Sequence, residues 1–146
     1  MYDKILVATD GSEIATAAVE HAAALASSTG AKEVIILHVC PACTPELDPD
    51  GENRIKATEI VEAATGLMAS KGLQARSLVE MDYPMEEIGE AIIDITAREE
   101  GDLLVIGSRG LSEFRGMLLG SVSHKVLKHG GCPVLIFRGS ATDTGS

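Results

Sequence analysis

Short apolar segments of strand length alternate with longer amphipathic segments along most of this chain. Two of the short segments contain unbroken apolar runs, Val34-Ile35-Ile36-Leu37 and Leu103-Leu104-Val105-Ile106. Runs of this kind indicate strands that are buried on both faces. Because strands that alternate with helices form parallel sheets, the pattern predicts an α/β fold, a doubly wound five-stranded parallel sheet with helices on both faces and right-handed connections.

The hydrophobic periodicity places five strands and four helices in a single domain, residues 1–138. The predicted strands are residues 4–9, 33–39, 74–79, 103–106 and 134–137, and the predicted helices are residues 12–28, 52–71, 121–129 and a segment that begins near Pro84. Proline suits the first turn of a helix, where its missing N–H is not needed. Residues 139–146 have little to bury, so they are predicted to form a disordered tail.

A glycine-rich segment joins the fourth predicted strand to the last predicted helix. It has the spacing Gly-x2-Gly-x9-Gly-Ser, which runs from Gly107 to Ser121. Glycine lets the backbone approach a ligand closely, and the N–H groups of a helix's first turn attract anions. Because parallel sheets bind ligands outside the carboxyl ends of their strands, the segment predicts a phosphate site. Asp10-Gly11-Ser12 would face it if the first and fourth strands are neighbours.

The charge of the chain is distributed unevenly. Over the full length 22 acidic residues outnumber 12 basic ones, for a net charge of -10, yet residues 107–138 contain five basic residues and one acidic residue. A cationic patch on an acidic protein favours a small anionic ligand, because the remaining surface would repel a phosphate polymer. Aromatic residues make up only 3% of the chain, which leaves little surface for base stacking. Nucleic acid is therefore not expected as a partner.

The apolar segments and the N-terminus bear on localisation. No apolar stretch approaches the roughly 18 residues that a membrane-spanning helix needs, and the N-terminus carries no signal-peptide pattern. Three cysteines, an odd number, fit a reducing compartment. We expect a cytoplasmic protein without membrane association.

Cys40 and Cys43 have the C-x-x-C spacing of redox and metal sites. A redox dithiol needs its first cysteine at a helix N-terminus, but a Pro-containing loop follows here, and a zinc site would need two further ligands. We therefore interpret the pair as loop cysteines, with a redox or metal function as the alternative. Cys132 is interpreted as a small buried residue at the start of the last strand.

Several segments resemble the universal stress protein family, and in particular its nucleotide-binding subclass. The matching segments are Ile5-Leu6-Val7-Ala8-Thr9-Asp10-Gly11-Ser12, Leu37-His38-Val39, Gly107-Ser108-Arg109-Gly110, Gly120-Ser121-Val122 and Cys132-Pro133-Val134-Leu135-Ile136. The resemblance implies the strand order 3-2-1-4-5, a homodimer, and ATP or another adenine nucleotide bound with Mg²⁺ or Mn²⁺.

The resemblance also implies roles for ten positions of this chain. Asp10 would lie near the ribose and the metal ion, and the Val39 main chain would contact the adenine. The remaining positions would line the base pocket or bind the ribose and phosphates; they are Ala8, Ile106, Gly107, Arg109, Gly110, Gly120, Ser121 and Val122.

Each of these positions also has a purely structural interpretation. Asp10-Gly11-Ser12 is a natural turn and helix N-cap, and Ser121 could cap the last helix whether or not it contacts phosphate. Arg109 and Arg115 could be solvated loop charges. His38 lies within an apolar strand, which favours a packed or pocket-edge histidine over a metal ligand.

Three classes of function remain open. The first is an ATP-binding regulatory or switch protein with an unknown protein partner and at most slow hydrolysis, because the chain has no Walker sequence for fast NTPase chemistry. The second is a hydrolase or adenylyl-transfer enzyme that uses the same crevice, and the third is a dimeric scaffold without nucleotide. The uncharged strand Val134–Phe137 at a sheet edge predicts a homodimer, since pairing would cover its unpaired backbone groups.

Overall fold

The computed structural model describes residues 2–40, 43–81, 84–108 and 120–138 and contains a five-stranded sheet in the order β3-β2-β1-β4-β5. The strands are β1 (Lys4–Ala8), β2 (Glu33–Cys40), β3 (Ala75–Met81), β4 (Leu103–Gly107) and β5 (Val134–Phe137). The helices are α1 (Glu13–Thr29), α2 (Glu52–Ser70), α3 (Ile88–Arg98) and α4 (Ser121–His129). All four strand pairings are parallel. The predicted fold class and the strand order implied by the family resemblance are confirmed.

The element bounds agree with the predicted ones to within one residue, except that β3 ends two residues later and the helix that follows Pro84 starts later. The chain forms a 3₁₀ turn at Met85–Glu87 before α3 begins at Ile88, so the helix starts later than predicted. The turn is closed by the Glu87 N–H, which donates to the Pro84 carbonyl at 2.9 Å. β2 continues to Cys40 and β3 to Met81 because these two strands pair along their whole length.

The sheet separates two apolar layers. Alternate β1 side chains enter opposite layers: Ile5 and Val7 pack with α1 and α2, whereas Leu6 and Ala8 pack with α3 and α4. This is the two-residue period of a strand. Since β1 and β4 have a neighbouring strand on each side, their apolar side chains are almost completely buried. Their carboxyl ends therefore lie in the middle of the sheet, between both pairs of helices.

The two edges of the sheet differ in composition. Edge strand β3 includes Arg76, Ser77 and Glu80, whereas edge strand β5 is Val-Leu-Ile-Phe with all four side chains half-buried. β5 is therefore an apolar edge, as predicted. The predicted tail, residues 139–146, lies outside the described residues. Within the described ranges, no helix is long and apolar enough to cross a membrane.

Candidate functional site

The β1–α1 turn is held by three side-chain oxygens. Thr9 Oγ1 accepts from the Gly11 N–H at 3.2 Å, Asp10 Oδ1 accepts from the Ser12 N–H at 2.9 Å, and Ser12 Oγ accepts from the Ala15 N–H at 3.2 Å. Ser12 is the N-cap of α1, so the structural interpretation of this turn is confirmed. The same bonds fix the half-buried Asp10 at the carboxyl end of β1, where a ligand of the sheet would bind.

Gly11 is required by both its backbone and its surroundings. Its φ of +81° lies in the left-handed region, and a Cβ there would come within 3.0 Å of Ile60 Cγ1. α2 therefore packs directly against the turn that carries Asp10. Sequence reasoning did not identify Ile60, because nothing local to α2 indicates which loop its side chain contacts.

Gly107 ends β4 in a buried position. A Cβ on Gly107 would lie 2.9 Å from Ile14 Cγ2, so glycine lets the first turn of α1 approach the strand. The Gly107 carbonyl accepts from Ser123 Oγ at 2.5 Å, a contact that sequence reasoning missed. This glycine thus has a packing role in addition to the ligand contact implied by the resemblance.

The two ends of the connection between β4 and α4, Ser108 and Gly120, lie next to each other. The Ser108 N–H donates to the Phe137 carbonyl at 2.8 Å, and the Gly120 N–H donates to the Ser108 carbonyl at 2.6 Å. These bonds place the start of α4 beside the end of β4. The intervening residues, including the predicted site residues Arg109 and Gly110 and the basic Arg115, lie outside the described residues.

The N-terminus of α4 differs from the expected one. Its N-cap is Gly120, with φ −72° and ψ 165°, and Ser121 is the first helical residue; the interpretation of Ser121 as the cap is wrong. Within the described ranges, no side chain forms a capping hydrogen bond at this end. The dipole of a helix favours an anion at its N-terminus, so this end of α4 is suited to bind one.

The predicted base-pocket residues share one apolar layer. Ala8, Val39 and Ile106 belong to the cluster beneath α3 and α4, and half-buried Val122 packs against it. Ala8 pairs with Ile106 on one side and with Leu37 on the other. Val39 lies two residues beyond Leu37, so all three residues lie at the carboxyl ends of adjacent strands.

His38 is a packed histidine at the edge of this region. It is 9% exposed, and its Nδ1 lies 2.8 Å from the Thr9 carbonyl oxygen. A carbonyl can only accept, so Nδ1 carries the proton in this contact. The bond ties the end of β2 to the end of β1, in agreement with the sequence interpretation.

A cavity of about 370 Å³ opens on the other face of the sheet, between α1 and α2. Its walls come from the β1–α1 turn, including Asp10 and Gly11, and from the facing sides of the two helices, including Thr16, Lys56 and Ile60. It shares Asp10 with the crevice that the sequence predicts but does not include Val39, Ile106 or Ser121. Arg109 and Gly110, which are also predicted to line that crevice, lie outside the described ranges.

The cysteines differ from the sequence interpretation. Cys40 and Cys43 form a disulfide, so they are not simply loop cysteines. Cys132 is a free, half-buried cysteine, more exposed than predicted, and burial raises the pKa of its thiol.

Residues 1–138 match the universal stress protein family. The chain belongs to this family. It is 38% identical to universal stress protein YxiE of Bacillus subtilis, over 94% of this chain and 100% of that protein. It also resembles the structure of MJ0577 from Methanocaldococcus jannaschii, with a TM-score of 0.81, 30% identity and coverage of 97% and 99%. A family protein from Arabidopsis thaliana, solved with AMP bound, gives a TM-score of 0.74 at 25% identity and covers 98% and 95% of the two chains.

In this universal stress protein, eight of the ten predicted site residues are described, and all eight lie at or just beyond the carboxyl ends of β1, β2 and β4 or in the N-cap and first turn of α4. They are Ala8, Asp10, Val39, Ile106, Gly107, Gly120, Ser121 and Val122. Of the basic residues in 107–138, Lys125 is already paired within the protein. Its Nζ lies 2.5 Å from Glu90 of α3 and lowers the pKa of that carboxyl, so Lys125 is less available to a ligand. Among the described residues, no group of three His, Cys, Asp or Glu side chains is placed to hold a metal ion.

Proposed function

We propose that this universal stress protein binds an adenine nucleotide at the carboxyl ends of β1, β2 and β4 and acts as a nucleotide-dependent regulatory protein. The observation that carries the proposal is the start of α4. Gly120 places a helix N-terminus beside the end of β4, and β4 is the neighbour of β1, whose carboxyl end leads into Asp10. The likeness to a family protein solved with AMP supports the choice of ligand.

In the proposed complex, the adenine contacts the Val39 main chain and lies against Ala8 and Ile106. The Asp10 carboxylate accepts a hydrogen bond from a ribose hydroxyl, because an ionised carboxylate is a strong acceptor. The phosphates bind the glycine loop and the start of α4, through Gly107, Arg109, Gly110, Gly120, Ser121 and Val122.

ATP is the proposed physiological nucleotide, bound with Mg²⁺ or Mn²⁺. With Asp10 as the protein carboxylate, the phosphates would supply further oxygen ligands, as Mg²⁺ commonly requires. The metal ion would neutralise phosphate charge when bound. Hydrolysis is expected to be slow, because fast NTPases use a Walker lysine and a residue that orients the attacking water.

Titration calorimetry with AMP, ADP and ATP, each with and without Mg²⁺, tests the binding site. Gly120→Val should weaken binding by at least tenfold and leave the fold intact, because its backbone angles suit valine and the side chain would occupy phosphate space. Gly131→Val is the matched control, since a Cβ there meets nothing within 4 Å. Unchanged affinity in Gly120→Val would exclude the start of α4 as the phosphate site.

Mass spectrometry of protein purified without added nucleotide separates the classes of function. A regulatory nucleotide-binding protein should retain ATP, whereas a hydrolase or adenylyl-transfer enzyme should convert added ATP to product at a catalytic rate. A scaffold should contain no nucleotide and bind none when it is added. The last result would contradict the proposal.

We also propose that β5 forms a homodimer. The Leu104 N–H donates to the Pro133 carbonyl at 3.0 Å and the Ser108 N–H to the Phe137 carbonyl at 2.8 Å. Since main-chain groups alternate in direction along a strand, those of Leu135 point to β4 and those of Ile136 point to the open edge. The edge-facing groups and half-buried apolar side chains are suited to pair with a second copy.

Light scattering of two proline variants tests this dimer. Ile136→Pro removes an edge-facing donor and should give a folded monomer, whereas Leu135→Pro removes a donor to β4 and should destabilise the fold. A wild-type monomer at micromolar concentration would contradict the proposal, and a dimeric Ile136→Pro variant would place the interface elsewhere.

A further inference from the structure

We propose that Cys40 and Cys43 form a thiol–disulfide switch that sets the affinity of the adjoining nucleotide site; this inference rests on the proposed function. The disulfide lies at the carboxyl end of β2, one residue beyond Val39. In a cytoplasmic protein, as the sequence predicts here, disulfides are usually transient and redox-sensing or catalytic. Both cysteines are buried, with 4% and 2% exposure, which disfavours a catalytic dithiol and favours an internal constraint.

The disulfide fixes the point at which the chain leaves β2. Cys40 is paired with Met81 of β3 and so belongs to the sheet, whereas Cys43 belongs to the connection toward α2. Together the two cysteines pack with Ala57 of α2 and Val79 of β3 in a small apolar cluster. The bond therefore joins the strand that carries Val39 to the segment that leads into α2.

That segment continues directly into the cap of α2. The Thr44 carbonyl, one residue after Cys43, accepts from the Leu47 and Asp48 N–H groups at 3.1 and 2.7 Å. The Asp48 carboxylate then accepts from the Asn53 and Arg54 N–H groups at 2.9 and 3.1 Å. A change at Cys43 is thus transmitted to the first turn of α2 through a short series of hydrogen bonds.

α2 connects the disulfide to the other side of the proposed site. Ala57 packs with the cysteines, and Ile60, about one helical turn later, lies against Gly11 in the turn that carries Asp10. The disulfide is therefore linked to the adenine contact through β2 and to the ribose contact through α2.

The chemistry requires a dithiol reductant, either a small molecule or a protein. A reductant thiolate attacks one sulfur of the disulfide and forms a mixed disulfide, and the other cysteine leaves as a thiolate that takes a proton. The second thiol of the reductant then displaces the first cysteine, so the protein gains two electrons and two protons and the reductant becomes a disulfide. Because the cysteines are buried, attack requires local opening at the end of β2, which a nucleotide on Val39 opposes.

Reduction is expected to weaken nucleotide binding, since it releases Cys43 and loosens both contacts. Coupling between two sites is typically 5–150-fold and is reciprocal. AMP affinity should therefore fall at least fivefold, and saturating AMP should shift the dithiothreitol dependence of reduction toward more reducing conditions by the same factor. The AMP affinity and the dithiothreitol dependence are both measured on the full chain with Cys132→Ser, which removes the third thiol.

Calorimetry with AMP compares the oxidised Cys132→Ser protein, the same protein after dithiothreitol, and a variant that adds Cys40→Ser and Cys43→Ser. The last two should bind alike and more weakly than the first, and wild type should match Cys132→Ser. Equal affinity of the oxidised and reduced forms would overturn the switch, as would failure of the disulfide to form with glutathione disulfide.

Hydrogen exchange of the nucleotide-free protein separates the switch from the proposed function. Reduction should increase exchange at the amides of Gly11, Ser12 and residues 57–60, and equal exchange in the two forms would overturn the switch. If neither form binds a nucleotide, the proposed function fails and the affinity change fails with it. A redox-dependent exchange pattern would then still show the structural link from the disulfide to the β1–α1 turn.

Discussion

The amino and carboxyl ends of the parallel strands differ in the types of residue that stabilise them. At the amino ends, charged side chains pair with one another: Arg76 contacts Glu33 and Glu99 at 2.9 and 2.8 Å. The Asp102 carboxylate accepts from the Asp3 and Lys4 N–H groups at 2.8 and 2.9 Å. These contacts join β1, β2, β3 and the end of α3. The charged side chains at the amino ends therefore bind other groups of the protein.

The carboxyl ends are shaped by glycines and small polar residues. Gly11 and Gly107 allow Ile60 and Ile14 to approach the loops closely, and Gly120 starts α4. All four helices begin at this end, because each follows the carboxyl end of a parallel strand. Of the two beside the predicted site, α1 is capped by the Ser12 side chain, whereas no side chain among the described residues caps α4. The comparison contrasts charge pairs that link neighbouring strands where the strands begin with close-packed glycine turns and helix N-termini where they finish.

Two aspartates at opposite ends of β1 give the sharpest test of this difference. Asp10→Asn keeps an acceptor for the Ser12 N–H but loses the charge, and should weaken ATP binding by about 1.5–3 kcal/mol, the range for hydrogen bonds to charged groups. Asp102→Asn should lower the melting temperature and leave nucleotide affinity unchanged. Calorimetry and thermal melting measure the two effects.

Adenosine distinguishes the two roles proposed for Asp10. If Asp10→Asn weakens adenosine and MgATP equally, the carboxylate binds the ribose; if only MgATP is affected, it acts through the metal ion. Wild-type affinity for both ligands would remove Asp10 from the site.

Sequence reasoning identified the fold because the fold depends on local patterns, whereas the location of the nucleotide site stays a prediction. The apolar runs gave β2 and β4, and the Ser12 cap follows from a serine just before a helix. The position of Ile60 against Gly11 and of Ser123 on Gly107 could not be predicted, because these contacts depend on how helices pack on the sheet. Ser121 suits a cap by residue type, but it is already the first residue of α4, and Gly120 has the extended backbone of the cap.

Alanine substitution of two glycines with left-handed backbone angles tests the same change at the carboxyl and the amino ends of the strands. Gly11 and Gly30 have φ of +81° and +72°, but only Gly11 would place a Cβ against a side chain. Gly30→Ala should lower the free energy of unfolding by about 1–2 kcal/mol through the backbone alone. Gly11→Ala should cost more and should also weaken nucleotide binding, as measured by urea unfolding and calorimetry. If the two variants lose the same free energy of unfolding, the Ile60 side chain moves away from the new Cβ without strain.

Ser12→Ala tests whether the α1 cap is purely structural. The hydroxyl accepts from the Ala15 N–H at 3.2 Å, so the variant should lose about 1 kcal/mol of stability, the usual cost of losing such a cap. Nucleotide affinity should change less than twofold, because α1 uses its own cap rather than a ligand. Ser12→Thr, which keeps the hydroxyl, serves as the control, and a large loss of affinity in Ser12→Ala would make α1 part of the site.

Acid should also act on the amino ends of the sheet, and its effect is expected to be the smallest because these groups are half-buried or exposed and are screened by solvent. Arg76 lowers the pKa values of Glu33 and Glu99, and the Lys4 and Asp3 N–H groups lower the pKa of Asp102. Carboxyls with lowered pKa values bind more protons in the unfolded chain, so their contribution is complete above about pH 5 and decreases as the pH falls through the folded values.

Urea unfolding between pH 6 and pH 3 measures this acid dependence. Arg76→Gln should flatten it, because the variant removes the main cause of the lowered pKa values of Glu33 and Glu99. The exposed Lys71→Gln is the matched loss of one positive charge and should retain the wild-type slope. Added salt should weaken the effect in wild type more than in Arg76→Gln, since screening acts on the pairs that the variant has already lost. Identical slopes in both variants would show that the amino-end charges, although paired, do not hold the strands together.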